Sequence, residues 1–116
     1  MKRVNIPYLN YILDIIKDIE NSINKLSKKD FDKNKDVIYS NIKRIEIISE
    51  VVKNISPNLK EKSPEIEWNK FERIKDSLKD HYFGIDIDVV WELLKIDIPN
   101  LKNQILKIKE DLGNSK

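Results

Sequence analysis

Leu9-Asn10-Tyr11-Ile12-Leu13-Asp14-Ile15-Ile16-Lys17-Asp18-Ile19-Glu20-Asn21-Ser22-Ile23-Asn24-Lys25-Leu26 decides the fold class of this chain. Leu9, Ile12, Leu13, Ile16, Ile19, Ile23 and Leu26 recur at steps of three and four residues. An α-helix turns once in about 3.6 residues, so these steps gather the apolar side chains on one face. The stripe predicts an amphipathic helix of about five turns. Pro7 fits the first turn of that helix, where its missing N–H costs nothing, with Asn5 as the candidate cap. Ser27-Lys28-Lys29-Asp30 is expected to end it, and Phe31 to anchor the connection that follows.

The same periodicity continues outward. Ile38, Ile42, Ile45, Ile48, Val52 and Ile55 predict a second helix from about Asp36 to Ile55. Val37, Ile47 and Val51 widen its apolar face, as expected of a helix central to a bundle or shared with a second subunit. Ser56-Pro57 and Ser63-Pro64 bracket a polar connection with room for one helical turn. A third helix is expected over about Glu65 to Lys79, with Trp68, Phe71, Ile74, Leu78 and Tyr82 on one side and Lys75 inside that apolar arc. Gly84 breaks it. Asp86 or Asp88 can cap the next helix, which carries Val89, Val90, Leu93 and Leu94. Asp97-Ile98-Pro99 marks a kink or restart before Leu101, Ile105, Ile108 and Leu112, and Gly113 to Lys116 are expected to fray. No strand-like alternation or hairpin signal appears. The chain is read as all-α, an up-down bundle of four to five helices forming a single domain over residues 1–116.

Bulk properties narrow the function classes. The 116 residues suit one core. With 22 basic and 20 acidic residues the net charge is +2, too balanced for the whole molecule to advertise nucleic-acid binding, so an RNA site would need a local basic groove. Cysteine is absent, which excludes disulfides and thiolate metal ligands. A single histidine leaves carboxylates to supply most of any metal site, and no cofactor motif is present. Neither a signal peptide nor a membrane span is evident, and a cytoplasmic protein is expected.

The chemistry-bearing stretch is Lys75-Asp76-Ser77-Leu78-Lys79-Asp80-His81-Tyr82-Phe83-Gly84-Ile85-Asp86, which holds the only histidine and one of two glycines. Together with Ile45-Glu46-Ile47-Ile48-Ser49-Glu50-Val51-Val52-Lys53, Glu65-Ile66-Glu67-Trp68, Val90-Trp91 and Asp97-Ile98-Pro99-Asn100-Leu101, it resembles the HepT family of HEPN-domain ribonuclease toxins. Ser49 and Val51 replace small residues usual in that family. Its chemistry resides in an arginine, four to six residues, a histidine, any residue and a tyrosine. Anchored on Tyr82-Phe83-Gly84, the motif tyrosine falls on Tyr82, the histidine position on Asp80 and the arginine position on Lys75. His81 takes the variable place between. Pairing Arg73 with His81 instead leaves seven residues between them and displaces the tyrosine by one.

Metal-free RNA cleavage needs a proton acceptor, a proton donor and a cation beside the phosphate. Histidine suits proton transfer near neutrality, and arginine binds two phosphate oxygens through its planar fork. Lys75 supplies charge without the fork. Asp80 could act as a base but would repel phosphate when ionised. His81 is the remaining proton-transfer candidate. Lys70, Arg73 and Lys79 could line an RNA groove, though such residues more often form a solvated helix face. Glu46, Glu50 and Asp86 read as solvating or capping groups. What the resemblance implies is a homodimeric endoribonuclease toxin neutralised by a minimal nucleotidyltransferase antitoxin of the MntA type, with Tyr82 as the candidate for modification by AMP. The alternative is a catalytically degenerate member that keeps the partner and acts as a binding or regulatory module.

Overall fold

The computed structural model describes residues 2–80 and 86–114, without the side chains of residues 2–4, 77, 79, 80 and 114. Helix α1 spans Lys2–Ile23, α2 Lys28–Asp32, α3 Lys35–Lys53, α4 Pro57–Lys62, α5 Trp68–Asp80, α6 Ile87–Glu92 and α7 Ile98–Asn114. A π-helical turn, Leu93–Asp97, joins α6 to α7. No strand occurs among the described residues, and the all-α bundle expected from periodicity is the fold.

The apolar stripes meet in one core. Leu9, Ile12, Ile16 and Ile19 of α1 pack with Ile45, Ile48 and Val52 of α3 and with Leu101 and Ile105 of α7, all fully buried. Burying each such side chain contributes roughly 1.5–3 kcal/mol, before the opposing conformational entropy. Helix α3 packs against both α1 and α5, which accounts for its wide apolar face. Its Asn41 is also fully buried, donating to Ser22 Oγ and Val37 O and accepting from Arg44. Phe31 is completely buried, as expected of an anchor, and its ring meets Trp91 of α6 at 4.8 Å.

Local chemistry explains most helix ends. Ser27 caps α2 in a reciprocal box with Asp30. Asn34 caps α3, and Ser56 caps α4 with Pro57 in its first turn. Of the two aspartates considered for α6, Asp86 is the cap, accepting from the N–H groups of Asp88 and Val89. The π turn falls at the expected kink. There the Ile98 N–H reaches back to Leu93 O, so the helix widens just before Pro99, whose ring would crowd the carbonyl four residues earlier.

Four expectations are corrected. Helix α1 begins at Lys2 and takes Pro7 inside it, so Asn5 does not cap it. Asn5 is instead buried and ties α1 to the start of α4: its Nδ2 donates to Ser56 Oγ and its Oδ1 accepts from the Ser56 N–H, both at 3.0 Å. Helix α1 also stops at Ile23, and Ser27 starts α2 instead of closing α1. Helix α5 begins at Trp68, not Glu65, because Ile66 and Trp68 donate to Ser63 O and Ile66 O in a turn first. Finally, α7 continues through Gly113 to Asn114, while the rest of the expected fray, residues 115 and 116, lies outside the described residues.

Candidate active site

The first half of α5 is fixed by three contacts. The Trp68 indole is buried and donates through Nε1 to Ser63 O at 2.9 Å. The Glu72 carboxylate pairs with Lys60 of α4, both largely shielded from water. The Ser49 hydroxyl of α3, fully buried, donates to Glu72 O at 3.0 Å. A small polar side chain at Ser49 thus lets α3 and α5 approach and adds a hydrogen bond at the crossing.

Lys75 stands one turn further along α5. Its Nζ donates to Glu50 Oε1 of α3 at 2.8 Å, and Lys53 Nζ lies 3.5 Å from the same oxygen. The hydrogen bond from Lys75, helped by the Lys53 charge, holds the Glu50 carboxyl below the usual carboxylate range. The same hydrogen bond raises the Lys75 amine above its ordinary value, with Glu46 and Asp76 adding to the effect. Lys75 and Glu50 also line a groove of about 280 Å³, with Tyr11, Lys43, Glu46, Ile47, Val51 and Asn54.

Lys70 goes elsewhere. It lies five positions before Lys75, which turns it by about 140° around the helix. It pairs with Asp97 at 2.9 Å in a small cleft shared with Glu65, Glu67, Phe71, Asn100 and Gln104. That Asp97 hydrogen bond raises its amine above the ordinary lysine value. Lys70 and Lys75 therefore do not share a groove, and three carboxylates surround Lys70. Arg73 is exposed and has no ion-pair partner among the described residues. Asp80 is the last residue of α5, but its side chain and that of Lys79 are outside the description. The expectations for His81 and Tyr82 lie outside the described residues altogether. Among the described residues no three histidine or carboxylate groups are placed to hold a metal ion.

Sequence reasoning missed Glu50 as the partner of Lys75. The available signal was its position beside Ser49, at the edge of the α3 stripe. Asp86, read the same way, does cap a helix, so the two acidic residues separate only in three dimensions.

Residues 12–108 match the model of the family described as HepT-like, Ribonuclease HepT-like. A Methanocaldococcus jannaschii protein named "Gamma-glutamylcyclotransferase and putative RNase" is 42% identical over 109 residues, covering 94% of this chain and 49% of that protein. The chain thus spans about half the length of that relative. A Thermococcus cleftensis protein named "Probable ribonuclease HepT" is 37% identical over 110 residues, covering 95% of this chain and 100% of the relative. A second Methanocaldococcus jannaschii protein, named "Putative RNase", is 36% identical over 105 residues, covering 90% of each chain. No solved structure matches.

Proposed function

The chain belongs to the HepT-like ribonuclease family, and from that premise we propose that it is the endoribonuclease component of a toxin–antitoxin module. The observation that carries this reading is Lys75. The resemblance aligns it with the family's cationic position, and it lies on α5, ahead of His81-Tyr82-Phe83-Gly84 in the sequence, and borders an open groove.

In the proposed reaction the RNA 2′-hydroxyl attacks the adjacent phosphorus. The 2′-oxygen loses its proton to a base, the new O–P bond forms, the P–O5′ bond breaks, and the leaving 5′-oxygen takes up a proton. His81 is suited to transfer protons near neutrality. Asp80 would serve as the base, and Lys75 would offset charge building on the phosphoryl oxygens. Two copies of the chain would act together, and a minimal nucleotidyltransferase would silence them by adding AMP to Tyr82. A new phosphate at that position would repel RNA.

A second reading, a degenerate member serving as a binding or regulatory module, is favoured by a specific observation. The cation at the motif position is lysine, and a carboxylate already engages it. One experiment separates the two. Purified protein is incubated with tRNA and mRNA, alongside His81→Ala, Tyr82→Phe and the double variant Lys75→Arg with Asp80→His. Cleavage by the natural chain, lost in His81→Ala, supports the enzyme. Silencing by a co-expressed nucleotidyltransferase, spared in Tyr82→Phe, supports the module. Cleavage by the double variant alone marks the natural chain as degenerate.

A further inference from the structure

The Glu50 carboxylate lies in cationic surroundings. Lys75 of α5 and Lys53 of α3 both reach its Oε1, at 2.8 and 3.5 Å, and Lys43 of α3 lines the same groove. These groups remain open to water: the Glu50 side chain is 49% exposed and that of Lys75 35%. The groove wall also carries Tyr11, half exposed with no polar partner among the described residues. Lysines around a carboxylate, beside a half-exposed tyrosine, are the kinds of group that bind one nucleotide of single-stranded RNA. The ammonium groups meet the phosphodiester and the ring offers a stacking surface.

We infer that this groove is a seat for a phosphodiester of single-stranded RNA, and that Glu50 occupies the seat in the free protein. A carboxylate and a phosphodiester each present two anionic oxygens, so the ammonium of Lys75 can exchange one for the other. The lowered Glu50 carboxyl and raised Lys75 amine agree with a pair that stays fully charged at neutral pH. Glu46 lines the groove and Asp76 neighbours Lys75 on α5; both oppose an incoming phosphate. With Glu46 and Glu50 ionised, the lining carboxylates balance Lys43 and Lys75. Removing the Glu50 charge leaves the lining net positive. Glu50 is thus a positioning residue: it aims Lys75 into the groove and sets the threshold for RNA to displace it. The inference deepens the ribonuclease reading and rests on it for the choice of RNA as occupant.

The test is fluorescence anisotropy with a labelled, 2′-O-methylated oligouridine, which binds but lacks the nucleophile for cleavage. Natural protein, Glu50→Gln, Lys75→Met and the double variant are titrated over a range of salt, with Glu50→Ala as a second version of the charge removal. Glu50→Gln is expected to tighten binding about fivefold, the scale of losing one exposed competing pair and its charge. Its salt dependence should steepen by about 0.7, one further phosphate contact on a single strand. The gain should vanish in the Lys75→Met background. Unchanged or weaker binding by both Glu50 variants overturns the inference, and so does a gain that persists without Lys75. A change in self-association with unaltered RNA affinity assigns the groove to a protein contact and also overturns it. The outcomes separate from those of the parent reading. A gain dependent on Lys75, without cleavage of ordinary RNA, keeps the seat and removes the nuclease. Cleavage with no such gain does the reverse.

Discussion

In the first half of α5, Trp68 and Glu72 are tied to their neighbours by contacts shielded from water. In the second half, Lys75 makes its ion pair at the rim of an open groove. Both halves pair a lysine with a glutamate across two helices, but in different surroundings. The side chains of Lys60 and Glu72 are 18% and 27% exposed, and the backbone carbonyl of Glu72 also receives the buried Ser49 hydroxyl. Lys75 and Glu50 have water on one side, so each can exchange its partner for a solvated ion or a ligand. Shielded polar contacts hold a helix in one register because leaving them unmade is costly. Exposed ones contribute little to stability and remain available for binding. The shielded contacts therefore help to frame α5, while the exposed Lys75–Glu50 pair stays available for binding.

That contrast can be broken most forcefully at Trp68. Replacing it with alanine removes a large buried side chain and leaves Ser63 O without its indole partner; a loss of about 3–5 kcal/mol is expected in denaturant unfolding. A loss near zero would mean that the first half of α5 is not the fixed half. Ser49→Ala is a finer probe. Only one hydrogen bond to the backbone of α5 disappears, so about 0.5–1.5 kcal/mol is expected, with RNA affinity retained. A larger effect on affinity than on stability would move Ser49 from the frame to the site.

The smallest effect on stability belongs to the exposed pair, and pH reads it. The folded-state pKa of Glu50 is lowered, so its contribution is complete above the ordinary carboxylate value and is lost as pH falls through the lowered one. The Lys75 amine is raised, so its contribution is complete below the ordinary lysine value and is lost as pH rises through the raised one. At neutral pH both are charged. NMR titration of the Glu50 side-chain carboxyl should give a midpoint below the ordinary carboxylate range, and Lys75→Met should bring it back up, with little change in melting temperature. An unshifted midpoint in the natural chain would remove the pair in solution.

How much of this was legible in the sequence depends on how far apart the interacting residues are. The stripe through Leu9, Ile12 and Ile16 places α1 close to where it occurs, and Ser56-Pro57 marks the connection in which α4 forms, whereas Ser27, read as closing α1, caps α2. Phe31 could be read as an anchor because it stands alone between polar residues. Asn5 could not: it has the sequence signature of a cap, and only the return of the chain at Ser56, 51 residues away, gives it another partner. The candidate site divides in the same way. Lys75 was singled out only through the family resemblance, by aligning its motif on Tyr82-Phe83-Gly84, whereas Lys70, Arg73 and Lys79 were grouped because they are near one another in the chain. Rotation about α5 sends Lys70 to Asp97 and Lys75 to Glu50.

By itself the sequence determined the all-α class, the helix-bearing segments, the break near Pro99 and the resemblance carried by Ile45 to Leu101, because periodicity, capping and motif spacing are short-range properties. Only the tertiary structure decided which carboxylate holds Lys75, where Asn5 is satisfied, and that Lys70 and Lys75 border different clefts. Those outcomes depend on how α1, α3, α5 and α7 are rotated against one another, and that rotation is set by packing the whole core at once.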